Sequence, residues 1–314
     1  MLQQTQIATV IPYYQRFLEA FPSVESLAQA PLERVLELWS GLGYYRRARH
    51  LHLAARAVTE NHGGQFPSDL DGMRSLAGVG DYTARAVLSI AYNQPYAVVD
   101  GNVARVMARF LALRGSLSQP GFRNEVEQSL GTLLSRRQPG NFNQALMELG
   151  QTVCLPRLPQ CDACPLRRWC RAFRLGVSES YPLPRSRRQT EEHHLATAVV
   201  FKDQRLMLVR GLDEGLLGDL WNFPSALCDT QAASLAKLKS KLCAILGNPV
   251  RLQGSARKLR HNITFRAIQV HLYKAAFTEE IKGNHVRWMT RQEISRSAVS
   301  QLARKIVQNL DGFT

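Results

Sequence analysis

The sequence predicts a multidomain chain, with an all-α domain first and an α/β domain after it. Three observations lead there. The chain has 314 residues, too many for one ordinary core and comfortable for two. Before residue 190 apolar residues recur at three- and four-residue steps, and no run alternates as a strand would. A basic, proline-punctuated stretch, Tyr181 to Thr190, then separates that texture from short β-like runs. With 45% hydrophobic and 21% charged residues, both parts can bury real cores.

The elements follow in order. Ile7, Val10, Ile11, Tyr14, Phe17 and Leu18 trace one helix face, and Leu32, Val35, Leu36 and Trp39 trace the next, ending at Gly41-Leu42-Gly43. A third helix from about Tyr45 to Glu60 is stopped by Gly63-Gly64. Helical patterns resume at 83–92, 103–113, 124–135 and 142–153. The stretch 181–190 reads as an extended linker, either a solvated tether or a phosphate contact. Beyond it, 195–201 and 206–210 form a hairpin around Lys202-Asp203-Gln204. Residues 235–246 are helical, 265–277 and 286–289 are strands, and 294–310 is one amphipathic helix. The boundaries are 1–175 for the helical domain, 176–192 for the linker and 193–314 for the α/β domain, each domain of ordinary size.

Charge narrows the partners. Forty Lys+Arg against 25 Asp+Glu leave a net charge of +15, which suits a polyanion. From Met1 to Glu192 there are 22 Arg, no Lys and 16 acidic residues; the first lysine is Lys202. The helical domain therefore cannot form a lysine Schiff base. No apolar run approaches the ~18–20 residues of a membrane helix. Met1 to Gln6 lacks the basic and apolar regions of a secretory signal.

Four of the six cysteines, Cys154, Cys161, Cys164 and Cys170, fall in 17 residues with the spacing C-x6-C-x2-C-x5-C. This predicts a metal site rather than disulfides. Zinc prefers two C-x2-C knuckles and only one is present, while four thiolates also hold a [4Fe–4S] cube. Cys228 and Cys243 stand apart and read as small buried apolar residues, with free-thiol chemistry as the other reading.

Leu76-Ala77-Gly78-Val79-Gly80 lies between helical stretches. Its glycines permit a tight turn and turn backbone N–H groups outward at a helix start, where a phosphate can sit; a plain connector is the other reading. Twenty residues on, Asp100-Gly101-Asn102 opens the next helix, so Asp100 is an N-cap or a catalytic carboxylate.

Taken together, the Leu-x-Gly-Val-Gly turn, the later Asp and the cysteine loop resemble the helix–hairpin–helix DNA glycosylase superfamily with a terminal iron–sulfur loop (154–170). The endonuclease III-like branch carries a catalytic lysine in Gly-Val-Gly-x-Lys-Thr-Ala. Here the run is Gly78-Val79-Gly80-Asp81-Tyr82-Thr83-Ala84, with Tyr82 in the lysine's place. Met1-Leu2-Gln3-Gln4-Thr5-Gln6, the 39–49 run WSGLGYYRRAR, Val99-Asp100-Gly101-Asn102-Val103 and Phe142-Asn143-Gln144-Ala145 resemble the adenine DNA glycosylase family of the MutY type.

That resemblance implies base excision repair: a monofunctional hydrolase that flips adenine out of double-stranded DNA opposite 8-oxoguanine or guanine and cleaves its N-glycosidic bond. It implies Asp100 as the carboxylate that stabilises an oxocarbenium-like sugar, Asn102 as its positioner and Tyr82 as an assistant. Gln144 and Met147 match adenine-pocket positions, and Gly78 and Gly80 the phosphate grip. Tyr44 resembles an aromatic wedge, with core packing as the other reading, and Gln3 a polar intercalator. The four loop cysteines would hold a [4Fe–4S] cluster. The α/β domain resembles the family's Nudix-like domain through the stretch from Gly215 to Pro224, without the glutamate-rich hydrolase box. Its 8-oxoguanine-sensing Phe-Ser-His is best matched by Ile263-Thr264-Phe265. This keeps a hydroxyl on Thr264 and puts Phe265 in place of the histidine, with His261 either compensating or an exposed or structural histidine. The implied protein is a monomer without membrane association, cytoplasmic and near the nucleoid.

The family's general acid is a glutamate two residues before the methionine that matches Met1. General acid–base help is worth about 10²–10⁴-fold. The expectation is that the chain as written excises adenine poorly. Either its start lies at an internal methionine or it is a lesion-binding relic. A non-catalytic DNA-binding protein and an endonuclease III-like lyase are the competing readings.

Overall fold

The computed structural model describes residues 1–3, 5–184, 190–211, 220–263, 265–277, 281 and 284–310, and only the backbone of 255–257. Part of the predicted linker (185–189), the 215–219 part of the Gly/Trp/Phe-Pro stretch, and Thr264 lie outside the described residues. The chain divides into two compact units, Met1–His52 with Arg188–Thr314, and Leu53–Arg187.

Helices α1 (Ile7–Ala20), α2 (Val24–Gln29) and α3 (Leu32–Trp39) open the chain, and α4 (Arg46–His62) crosses the division. The second unit continues with α5 (Leu70–Ser75), α6 (Asp81–Ala91), α7 (Gly101–Leu111), α8 (Pro120–Leu133), α9 (Pro139–Thr152) and α10 (Arg171–Arg174). Their starts follow local chemistry. The Asp69 side chain accepts from Gly72 N at the start of α5, and Pro120 and Pro139 occupy first-turn positions where no N–H is missed. Helix α7 is the axis of this unit. Its Val103, Val106 and Met107 pack with Phe122, Val126 and Leu130 of α8. The six-residue helices α2 and α5 carry too few apolar repeats to be read from the sequence.

Both ends of the predicted linker are bound into structure. Tyr181 is buried and its carbonyl accepts from Arg109 Nε at 3.0 Å, while Leu183 N donates to Gly115 O at 2.8 Å. Glu191 and Glu192 already belong to the first strand.

That strand, β1 (Glu191–Lys202), leads to β2 (Arg205–Val209), β3 (Ser225–Cys228), helix α11 (Gln231–Leu246), β4 (Gln253–Ile263), β5 (Arg266–Ala276), β6 (Val286–Met289), α12 (Arg291–Arg296) and α13 (Gln301–Gln308). The sheet runs β4-β5-β1-β2-β6, and β3 pairs with β1. The β1–β5 pair is parallel, with Glu191 opposite Arg266, and the other pairs are antiparallel. Alternation divides β1 between two layers. Leu195 and Val199 pack with Leu302 and Ile306 of α13, while Ala196, Ala198 and Val200 pack with Leu238 and Leu242 of α11.

Three sequence readings change here. The predicted helix 294–310 is two helices, because the Ser300 side chain accepts from Ala303 N and restarts the backbone as α13. Strands β3 and β4 were not legible. The first is four residues long, and β4 carries a register shift between Gly254 and Lys258 that breaks alternation. Cys228 and Cys243 are free and half-buried rather than buried. Among the described residues no helix is long and apolar enough to cross a membrane.

Candidate active site and cysteine cavity

Asp100 begins α7 and is the N-cap that the sequence offered as one reading. Its Oδ1 accepts from Val103 N at 2.7 Å, the bond of an N-cap, and Oδ2 accepts from Asn102 Nδ2 at 3.3 Å. The helix start holds a carboxylate favourably. The segment entering Asp100 is fixed by Asn143 of α9, which is 0% exposed. Asn143 Nδ2 donates to Tyr96 O at 2.8 Å and Ser89 Oγ at 3.0 Å, while its Oδ1 accepts from Val98 N at 3.2 Å. A buried amide so fully bonded specifies one backbone path.

Tyr82, in the first turn of α6, reaches α9. Its hydroxyl donates to Met147 Sδ at 3.5 Å. Burial, and then the negative charge of Asp100, push the phenol above its ordinary pKa of 10.0, so it stays protonated at neutral pH. Gln144, one turn before Met147, is exposed and donates to Gly140 O of its own helix at 3.3 Å. The structure thus groups Tyr82, Asp100, Asn102 and Met147.

Two glycines let the helices approach. A Cβ on Gly140 would lie 2.6 Å from Ser89 O, and one on Gly150 would lie 2.7 Å from Asn102 Cβ. The α5–α6 turn is also as read: Gly78 has φ +77°, in the left-handed region, and Gly80 caps α6. Gly80 has an ordinary φ of −87°, and a Cβ there would meet nothing within 4 Å among the described residues. Neither strain nor packing inside the unit requires glycine at 80.

All four cluster cysteines line one cavity, together with Val106, Arg109 and Leu166. Burial, then repulsion from Cys154, Cys170 and Cys161, pushes the Cys164 thiol up against the lowering effect of the Leu166 N–H, so an added cation would relieve the crowding. Among the described residues no three His, Cys, Asp or Glu side chains are grouped to hold a single ion. Four thiols lining one cavity are a donor set that an iron–sulfur cluster or a zinc ion can take.

Sequence reasoning missed two arginines on α7. Arg109 is 3% exposed and donates to Cys154 Sγ at 3.3 Å and to the carbonyls of Leu155 (2.6 Å), Pro156 (3.0 Å) and Tyr181. Arg105 donates to Cys154 O at 2.9 Å, Gly150 O at 2.7 Å and Asn102 Oδ1 at 3.0 Å. Arg105 thereby ties the cysteine loop to the residue beside Asp100. The available signal was two cations four residues apart on an otherwise apolar helix face.

Tyr44 and Gln3 lie in the other unit. Tyr44 is 51% exposed with φ +49°, between Gly43 (φ +71°) and α4, so the core-packing reading fails. Gln3 is exposed. Arg47 joins them. Its guanidinium donates to the carbonyls of Gln3, Met1 (2.7 Å) and Gly43 (3.2 Å), and lies 5.2 Å from the Tyr44 ring centroid. In the C-terminal sheet His261 is half-buried, and burial, then the Lys305 charge, hold its imidazole below the ordinary 6.5. Helix α11 carries no Asp or Glu.

Comparisons with known proteins give the family and the two domains. Residues 1–131 match the family described as HhH-GPD superfamily base excision DNA repair protein, and residues 196–309 match the NUDIX domain. The chain is 34% identical to the adenine DNA glycosylase of Mus musculus over 359 aligned residues, covering 98% of this chain and 69% of that protein. Identity to the Homo sapiens adenine DNA glycosylase is 33% over 368 residues, covering 99% and 67%. A solved thermostable thymine-DNA glycosylase superposes with a TM-score of 0.50 and 26% identity, over 55% of this chain and 80% of that one.

Proposed function

The chain belongs to the adenine DNA glycosylase family, and from that premise we propose that it excises adenine from double-stranded DNA opposite 8-oxoguanine or guanine, acting as a monofunctional base-excision repair hydrolase. The observation that carries this reading is the grouping of a helix-start carboxylate, Asp100, with Asn102, the neutral Tyr82 phenol and Met147, in a unit without a lysine.

Each part has a task. Tyr44, at a strained exposed turn, enters the stack, with Gln3 beside it, while the adenine swings out. Gln144, exposed on α9, reads the edge of the extruded base, which an amide can bond twice. As the N-glycosidic bond stretches, positive charge gathers on the sugar and the Asp100 carboxylate stabilises it, held in place by Val103 N–H and Asn102. Such electrostatic help is worth about 10²–10³-fold in rate. The open face over Gly80, together with the left-handed turn at Gly78, lets a phosphate approach backbone N–H groups. Cys154, Cys161, Cys164 and Cys170 would hold a [4Fe–4S] cluster, which would brace the loop when bound. The C-terminal domain faces 8-oxoguanine, with Thr264 and His261 taken from the sequence match to the family's sensing hairpin. Without carboxylates on α11 it does not hydrolyse nucleotides.

The test is single-turnover adenine release from an 8-oxoguanine:A duplex, using the gene's whole reading frame, including anything encoded ahead of Met1. Adenine release without a borohydride-trapped adduct supports the reading. A robust covalent adduct with abasic DNA would transfer the protein to the lyase class, and tight lesion binding with no release would make it a binding protein.

A further inference from the structure

The loop from Ser40 to Tyr45 is unusual backbone. Gly41, Gly43 and Tyr44 all have positive φ (+108°, +71° and +49°), and for a bulky residue such as Tyr44 that conformation persists only where surrounding bonds impose it. Part of the restraint is local: Trp39 Nε1 donates to Gly43 O at 3.1 Å, and Tyr45 Oη accepts from Gly41 N at 3.0 Å. The rest comes from residues more than 250 positions away in the same compact unit. Arg304 Nη2 donates to Ser40 Oγ at 2.7 Å, Gln301 Nε2 donates to Gly41 O at 3.2 Å, and Tyr45 Oη reaches Val299 O at 3.5 Å.

Helix α3, which delivers this loop, is also tethered near its start. Glu33 accepts two bonds from Arg287, at 2.7 and 3.3 Å, and one from Trp221 Nε1 at 3.4 Å. Arg210 lies 4.0 Å away, and Arg210 and Arg287 each lie 4.7 Å from the Trp221 ring centroid. Both ends of the segment that ends in Tyr44 are therefore fastened to the α/β domain.

We propose that Gln301 and Arg304, with the Val299 carbonyl, are positioning residues for Tyr44, so that the C-terminal domain sets the loop that enters the DNA. The inference rests on Tyr44 acting as the wedge. It gives the C-terminal domain a second task beside facing the opposite base: the domain that reads the lesion also holds the side chain that opens the duplex. Glu33 keeps α3 in register with that domain.

The experiment places 2-aminopurine beside 8-oxoguanine in an 8-oxoguanine:A duplex and reads its emission at saturating protein, where unstacking by an inserted side chain raises it. Ser40→Ala combined with Gln301→Ala removes the two contacts and leaves Arg304 bonded to Ser295 and Ser297, so the fold is spared. The emission rise is expected to fall by more than half, with melting temperature and affinity for undamaged duplex unchanged. A merely structural role would move those last two readouts instead. A full emission rise in the double variant overturns the proposal. If wild-type protein gives no lesion-dependent rise, or Tyr44→Ala keeps it, the wedge reading itself is wrong and the proposal falls with it.

Discussion

Replacing Gly150 by alanine tests how the active site is held. The new Cβ would sit 2.7 Å from Asn102 Cβ and 3.2 Å from Asn102 Cα and C. Carbon atoms pack best at about 3.5–4.0 Å, so close to 1 Å must be found between α7 and α9. Neither side yields freely. Asn102 bonds Asp100 and Arg105, and Arg105 also bonds Gly150 O and Cys154 O. Overpacking of this kind costs about 1–3 kcal/mol, offset by roughly 1 kcal/mol from replacing glycine inside a helix. The net loss of stability is therefore small, a few degrees in melting temperature for a unit of this size. Catalysis is more sensitive, since about 1 Å of misplacement costs on the order of 10²-fold. Single-turnover excision and thermal unfolding, measured on the same preparation, should separate: the rate falls about a hundredfold while the transition moves little. A Gly150→Ala variant that excises at the wild-type rate would refute the claim that the α7–α9 approach positions Asp100.

Two further substitutions test the surrounding network. Arg109→Gln removes the buried cation that bonds Cys154 Sγ and three carbonyls; iron content should drop well below about four per chain, with loss of broad absorption near 400 nm. Full iron loading in that variant would show that the loop closes without Arg109. The Glu33 carboxyl tests the tether by pH. Burial alone would raise its pKa, but the bonds from Arg287 and Trp221 and the charges of Arg287 and Arg210 outweigh it and hold the group below 4.5. Its contribution is therefore complete above about pH 4.5 and is lost as pH falls through the lower folded value. Glu33→Gln should flatten that acid limb of a melting-temperature profile; an unchanged limb would assign the acid sensitivity elsewhere.

Much of this was legible because the chemistry sits in short motifs. The Gly78 turn, Asp100 with Asn102, Tyr82 in a lysine's place and the cysteine spacing are each readable within a few residues, and Asp100, Asn102, Tyr82 and Met147 do come together in the fold. Long amphipathic helices were readable for the same reason: α1, α3 and α4 repeat their apolar face over several turns or end at glycine. What escaped depends on distance along the chain. Arg105 and Arg109 look like ordinary basic residues until Cys154, 45 or more positions away, is folded against them. Arg47 stands inside a recognised run, yet its partners Met1 and Gln3 are over 40 residues earlier. The break between α12 and α13 was hidden because Ile294, Ala298 and Leu302 keep helical spacing across it while Ser300 caps a new start. Glu33 and Arg287, 254 residues apart, carry no local signal at all.

The most direct test compares wild-type protein with Asp100→Asn, both expressed from the full reading frame, on an 8-oxoguanine:A duplex, measuring adenine release under single-turnover conditions alongside duplex affinity. Asparagine can still accept from Val103 N and hold the cap, while the negative charge at the start of α7 is gone. The account predicts that release falls by at least about 10²-fold with affinity kept. Release at the wild-type rate would mean that Asp100 is a helix cap and nothing more, and that the charge on the departing sugar is stabilised by another group.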